Sequence, residues 1–142
     1  MSLIRCILLV DDDPTTNYLN RKLLERLAVT PQVRIASDGR EALQVLATSC
    51  TPPDAPACPT LIFLDVNMPG MNGIEFLKEY QQLPLYQQRA IVIVMLTTSM
   101  HPQDVARVEQ LGVVAGFIGK PLTAEKVERL LRTQFHQELP TL

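Results

Sequence analysis

Residues 61–73 read LIFLDVNMPGMNG. An apolar run ending at Leu64 hands the chain directly to an acid, Asp65, and then to a turn of asparagine, proline and glycine. Four consecutive apolar residues leave no polar face, the pattern of a strand buried on both sides in a parallel sheet. A carboxylate at the mouth of such a strand is costly unless something neutralises it. It must cap a helix, hold a cation or do chemistry.

The same pattern recurs outward along the chain. LIRCILLV, AIVIVML and VVAGFI are equally apolar runs, and the weaker QVRIA adds a strand near Ile35. Helical stripes lie between them. Leu19, Leu23 and Leu27 recur every fourth residue, Val105, Val108 and Leu111 every third, and Val127, Leu130, Leu131 and Phe135 share another face. Asp13-Pro14 is a good N-cap followed by proline at the first helical position. Gly112 ends a helix that begins near His101-Pro102. Strands and helices alternating in this way argue for an α/β domain, a parallel sheet with helices on both faces. TSCTPPDAPACPT stands outside the scheme: its four prolines suppress regular structure and predict a surface excursion at about 50–59.

Length and charge narrow the functions. The 142 residues suit one domain, expected to span 1–142, with a formal net charge of −2. No basic stripe with interleaved aromatics is present, so neither nucleic acid nor membrane is an expected partner. The N-terminal apolar run is interrupted by Arg5 and leads into acids rather than a cleavage site. The three cysteines lack metal-ligand spacing. Cys6 reads as core, and Cys50 and Cys58, flanking the proline-rich loop, are expected to stay reduced in a cytoplasmic protein.

In an open parallel sheet, functional groups collect beyond the carboxyl ends of the strands. Here the first strand is followed by Asp11, Asp12 and Asp13, the third by Asp65, Val66 and Asn67, the fourth by Thr97, Thr98 and Ser99, and the fifth by Gly119, Lys120 and Pro121. Two carboxylates about 4 Å apart repel by roughly 4 kcal/mol at an effective dielectric near 20. Hard oxygen ligands without histidine or cysteine suit Mg²⁺. Lys120 is a second cation, and the Thr97 hydroxyl is a donor for a phosphoryl oxygen. Metal, lysine, hydroxyl and acid together describe a phosphoryl-transfer centre.

These residues resemble the receiver domain of two-component response regulators. The resemblance runs from Leu3 to about Phe135 and rests on VDDD, LDVNMPGMNG, MLTTS and GFIGKPL, in that order. It implies a flavodoxin-like, doubly wound, five-stranded parallel sheet of order 2-1-3-4-5 with five helices. It also implies that Asp65 is the phospho-acceptor and that Asp11, Asp12, Asp65 and the backbone carbonyl of Asn67 bind Mg²⁺. Thr97 would hydrogen-bond the phosphoryl group, Lys120 would ion-pair with it, and Pro121 would follow a cis bond. Thr97 and Phe117 would form the switch, with Phe117 where receivers often carry tyrosine. Asn67 and Ser99 occupy positions that tune phosphoryl lifetime in the family. Thr98, where receivers usually have a smaller residue, and Phe117, which lacks a hydroxyl, depart from the pattern.

The resemblance implies a stand-alone phosphorylatable switch rather than a dedicated turnover enzyme. A sensor histidine kinase or phosphotransfer protein would supply the phosphoryl group, and an output protein would read the result. Two other readings compete. A degenerate receiver that binds partners unphosphorylated usually loses the acids or the lysine, all present here. A haloacid dehalogenase-like phosphatase typically has a second aspartate two residues after its nucleophile, where this chain has Asn67.

Overall fold

In the computed structural model, which describes residues 4–50, 55–68, 70–83, 91–98 and 101–135, each apolar run has become a strand and each stripe a helix. The order is β1 (Ile7–Val10), α1 (Pro14–Leu27), β2 (Val33–Ala36), α2 (Gly39–Ser49), β3 (Leu61–Asp65), α3 (Gly73–Tyr80), β4 (Val92–Thr97), α4 (Pro102–Leu111), β5 (Gly116–Gly119) and α5 (Ala124–Gln134). All the strand pairs are parallel, in the order β2-β1-β3-β4-β5. This is the flavodoxin-like arrangement. Val10 pairs with Leu64, and Asp65 with Leu96, so the C-terminal ends of β1, β3 and β4 finish side by side.

The strand pleat divides the core in two. Ile7, Leu9, Leu61, Phe63, Val94 and Leu96 face one way, against Leu23 and Leu24 of α1 and Val127, Leu130 and Leu131 of α5. Leu8, Val10, Ile62, Leu64, Ile93 and Met95 face the other, against Ala42 and Leu46 of α2, Phe76, Leu77 and Tyr80 of α3 and Val108 of α4. Each large apolar side chain so buried contributes about 1.5–3 kcal/mol. The edge strands β2 and β5 are only partly covered; burial on both faces, expected of VVAGFI, applies to the inner strands alone.

The helix ends follow the expected signals. Asp13 caps α1 by accepting from the Thr15 N–H at 3.1 Å, with Pro14 next. His101 precedes Pro102 as the cap of α4, and Gly112 ends that helix with φ of +67°. The expected stripe on α1 is corrected at one position. Leu19 is 59% exposed, and the buried face is Asn17, Asn20, Leu23 and Leu24.

The expectation for the cysteines is also corrected. Cys50 and Cys58 form a disulfide. Cys50 is the C-cap of α2 and Cys58 lies just before β3, so the excursion leaves and re-enters the core at neighbouring points, Cα atoms 4.6 Å apart. Both residues are buried. Cys6 is the free, buried cysteine among the described residues, and burial raises its thiol pKa.

Candidate active site

Three strand ends bring the acids and the lysine together. Lys120 Nζ lies 2.9 Å from Asp11 Oδ2 and 3.0 Å from Asp65 Oδ1. Carboxylate oxygens of Asp11, Asp12 and Asp65 all lie within 4.8 Å of one another. Asp11 and Asp65 are buried, at 4% and 6% exposure, whereas Asp12 faces solvent.

The turn after β1 sets the first acid. The Asp11 N–H donates to Ala36 O of β2 at 3.1 Å. Its carboxylate Oδ1 accepts the Asp13 N–H at 2.9 Å, which leaves Oδ2 for Lys120. Lys120 is aimed from the other side by its own N–H, which donates to Thr97 O at 2.8 Å. The Lys120–Pro121 bond is cis.

Asp65 is set by the turn quoted at the outset. Gly73 N–H donates to Val66 O at 3.0 Å, closing the turn. Asn72 and Glu75 then cap α3 reciprocally: Asn72 Oδ1 accepts the Glu75 N–H at 2.9 Å and Glu75 Oε1 accepts the Asn72 N–H at 3.1 Å. Gly70 has φ of +74°, a backbone conformation that glycine adopts without steric cost. Gly73 serves for space rather than for a left-handed backbone angle. A Cβ there would stand 2.7 Å from Asp65 O and 3.1 Å from Val66 Cα. Gly73→Ala is therefore expected to cost about 1–3 kcal/mol by overpacking, read as a lowered thermal midpoint; an unchanged midpoint would show that the β3–α3 turn gives way freely.

The electrostatics follow from this geometry. Burial is the largest influence on the Asp65 carboxyl and raises its pKa. The Lys120 hydrogen bond opposes it, while Asp11 and Asp12 add to it, and the net shift is upward. Burial also works against the Lys120 charge, but hydrogen bonds and attraction from Asp11 and Asp65 outweigh it and hold the ammonium above the usual lysine value. Asp13 differs: the Thr16 hydroxyl, 2.7 Å away, and then the Thr15 N–H lower its pKa. Its oxygens serve the α1 cap.

The other expected residues fall around this cluster. Thr97 ends β4, and its Oγ1 is buried with no hydrogen-bond partner among the described residues. Asn67 is exposed in the turn after β3, and Thr98 is exposed after β4. Phe117 on β5 is 38% exposed. Ser99 and the loop residues 51–54 lie outside the described residues. Sequence reasoning missed Asn17, whose Nδ2 donates to Asp11 O at 2.8 Å. The signal was present as a weak helix former placed one turn after the cap.

Comparison with known proteins identifies the family. The family model for the response regulator receiver domain matches residues 7–132. The chain belongs to that family. Response regulator Rcp1 of Synechocystis is 33% identical over 109 residues, covering 77% of this chain and 72% of Rcp1. A two-component response regulator from Cytophaga hutchinsonii has a structure that superposes with a TM-score of 0.80 at 27% identity, covering 93% of this chain and 97% of its own. The Vibrio cholerae chemotaxis protein CheY4 superposes at 0.69 with 30% identity, covering 89% and 95%. The receiver is thus a phosphorylatable switch of two-component signalling, a class that interacts with histidine kinases or phosphotransfer proteins. No helix among its described residues is long and apolar enough to cross a membrane.

Proposed function

We propose that this receiver accepts a phosphoryl group on Asp65 from a phosphohistidine of a sensor histidine kinase or phosphotransfer protein, with Mg²⁺ as cofactor. The observation that carries this reading is the convergence of Asp11, Asp12 and Asp65 within 4.8 Å, tied on one side by Lys120. Three carboxylates facing one ammonium leave negative charge to be neutralised. The donors are all hard oxygens, which fits Mg²⁺. Asp11, Asp12, Asp65 and the Asn67 carbonyl would hold it. When bound, the ion neutralises charge on the phosphoryl oxygens.

The chain's own groups account for the rest. An Asp65 oxygen forms the bond to phosphorus as the bond from phosphorus to the histidine nitrogen breaks, and the imidazole leaves with the electron pair. The Thr97 hydroxyl, buried and unpartnered, is available to donate to the incoming phosphoryl oxygen. Lys120, already poised between two carboxylates, would exchange one of those contacts for the phosphoryl group. The product adds about −1.5 to −2 charges, and Phe117, half out of the fold at β5, turns inward as the loops close. Readout is by a protein partner, without dedicated catalytic turnover. The change is a population shift, effective only through differential stabilisation of one state.

The test is intact-protein mass spectrometry after incubation with acetyl phosphate, with and without Mg²⁺, and then with a phosphohistidine donor. One Mg²⁺-dependent phosphoryl adduct is expected. No adduct from either donor would overturn the reading and leave an unphosphorylated binding module.

A further inference from the structure

We propose that Asn17 is a positioning residue for the acidic pair, setting the direction of Asp12 through the peptide bond that links it to Asp11. The inference rests on the Mg²⁺ reading of the acids given above. Asn17 lies in the first turns of α1, is 4% exposed, and donates from Nδ2 to the Asp11 carbonyl at 2.8 Å. That carbonyl is half of the planar Asp11–Asp12 peptide. Holding its oxygen therefore fixes the opposite N–H and the path on which Asp12 leaves the turn.

The remaining polar groups of Asp11 are held from three other directions. Its N–H goes to Ala36, its Oδ1 accepts from Asp13, and its Oδ2 pairs with Lys120. Asp11 is thus locked on every side, and Asn17 supplies the lock that reaches the next residue. Asp12 is exposed, so packing does not orient it and the backbone must. The buried Asp11 carbonyl needs a donor, and the fold meets that need with the amide of Asn17. Its Oδ1 is buried without a partner among the described residues, a penalty that an apolar side chain would avoid. What the residue provides in return is the grip on the Asp11 carbonyl.

The test compares Mg²⁺ dissociation constants by isothermal titration calorimetry, well below the unfolding midpoint, for the wild type, Asn17→Leu and Asn20→Leu. Asn20 is the other buried asparagine of α1, one turn further along. Loss of a group that orients metal ligands typically costs 10–100-fold in affinity, so Asn17→Leu is expected to weaken Mg²⁺ binding by about tenfold or more, and Asn20→Leu by less than about twofold. A residue serving only stability would lower the midpoint and leave the affinity of the folded protein unchanged. That result for Asn17→Leu, beside a wild type that binds, overturns the inference alone; a wild type that binds no Mg²⁺ overturns it together with the reading beneath it. Should Asn17→Leu not fold, the wild type itself decides. The Asn17 side-chain amide resonance must shift with the calorimetric Mg²⁺ midpoint, and a resonance that stays still overturns the inference.

Discussion

Asp65→Asn is expected to take up no phosphoryl group from either donor and to unfold at a higher temperature than the wild type in Mg²⁺-free buffer. The first effect is chemical. An amide oxygen is a poor nucleophile, and Asp11, the other buried acid, is already occupied by Asp13 N–H and Lys120. The second effect follows from the pKa. Burial, with Asp11 and Asp12 adding to it, makes the Asp65 carboxyl hold its proton more tightly in the folded chain than in the unfolded one. Its ionisation at neutral pH therefore works against folding. The amide has nearly the same shape and no charge, and Lys120 keeps its 2.9 Å partner in Asp11. Mass spectrometry and a thermal melt check both effects. Labelling that persists at another residue would remove Asp65 from its role, and a lowered midpoint would show that its pairing with Lys120 outweighs the crowding.

The second large effect concerns the disulfide. Replacing Cys50 and Cys58 together by alanine, or reducing the wild type, is expected to cost about 2–3 kcal/mol. That is the loop-closure entropy of so short a ring on the chain-entropy model, and corresponds to roughly 6–12 °C in the midpoint. Phosphoryl uptake at low temperature is expected to be unaffected. The bond lies before the first residue of β3 and Asp65 is its last, so the length of the strand, about 13 Å at 3.3 Å per residue, separates them. Melts with and without reductant check this, and coincident curves would show that the bond contributes nothing.

The two predictions also mark what was legible in the sequence. The convergence of Asp11, Asp65 and Lys120 could be read because each ends or follows a strand, and parallel strands deliver their C-terminal ends to one edge whatever the loops do. The disulfide could not. Whether Cys50 meets Cys58 depends on where α2 stops and how a proline-rich excursion turns back, and neither has a period to read. Leu19 misled for a related reason. Counting apolar residues on α1 favours it over Asn17, but the face that buries Leu23 and Leu24 carries Asn17 with them, where it supplies the donor the buried Asp11 carbonyl needs. The role of Gly73 is set by Asp65 O, a neighbour that only the packing reveals.

Lys120 has a consequence for how the protein is made. Small metal domains often remain unfolded until their ion arrives, because nothing else reconciles their ligands. Here a covalently attached cation stands between the two buried acids from the start. Folding of the sheet is therefore expected not to require the proposed Mg²⁺. The proposed Mg²⁺ would then bind and leave a scaffold that Lys120 already holds together.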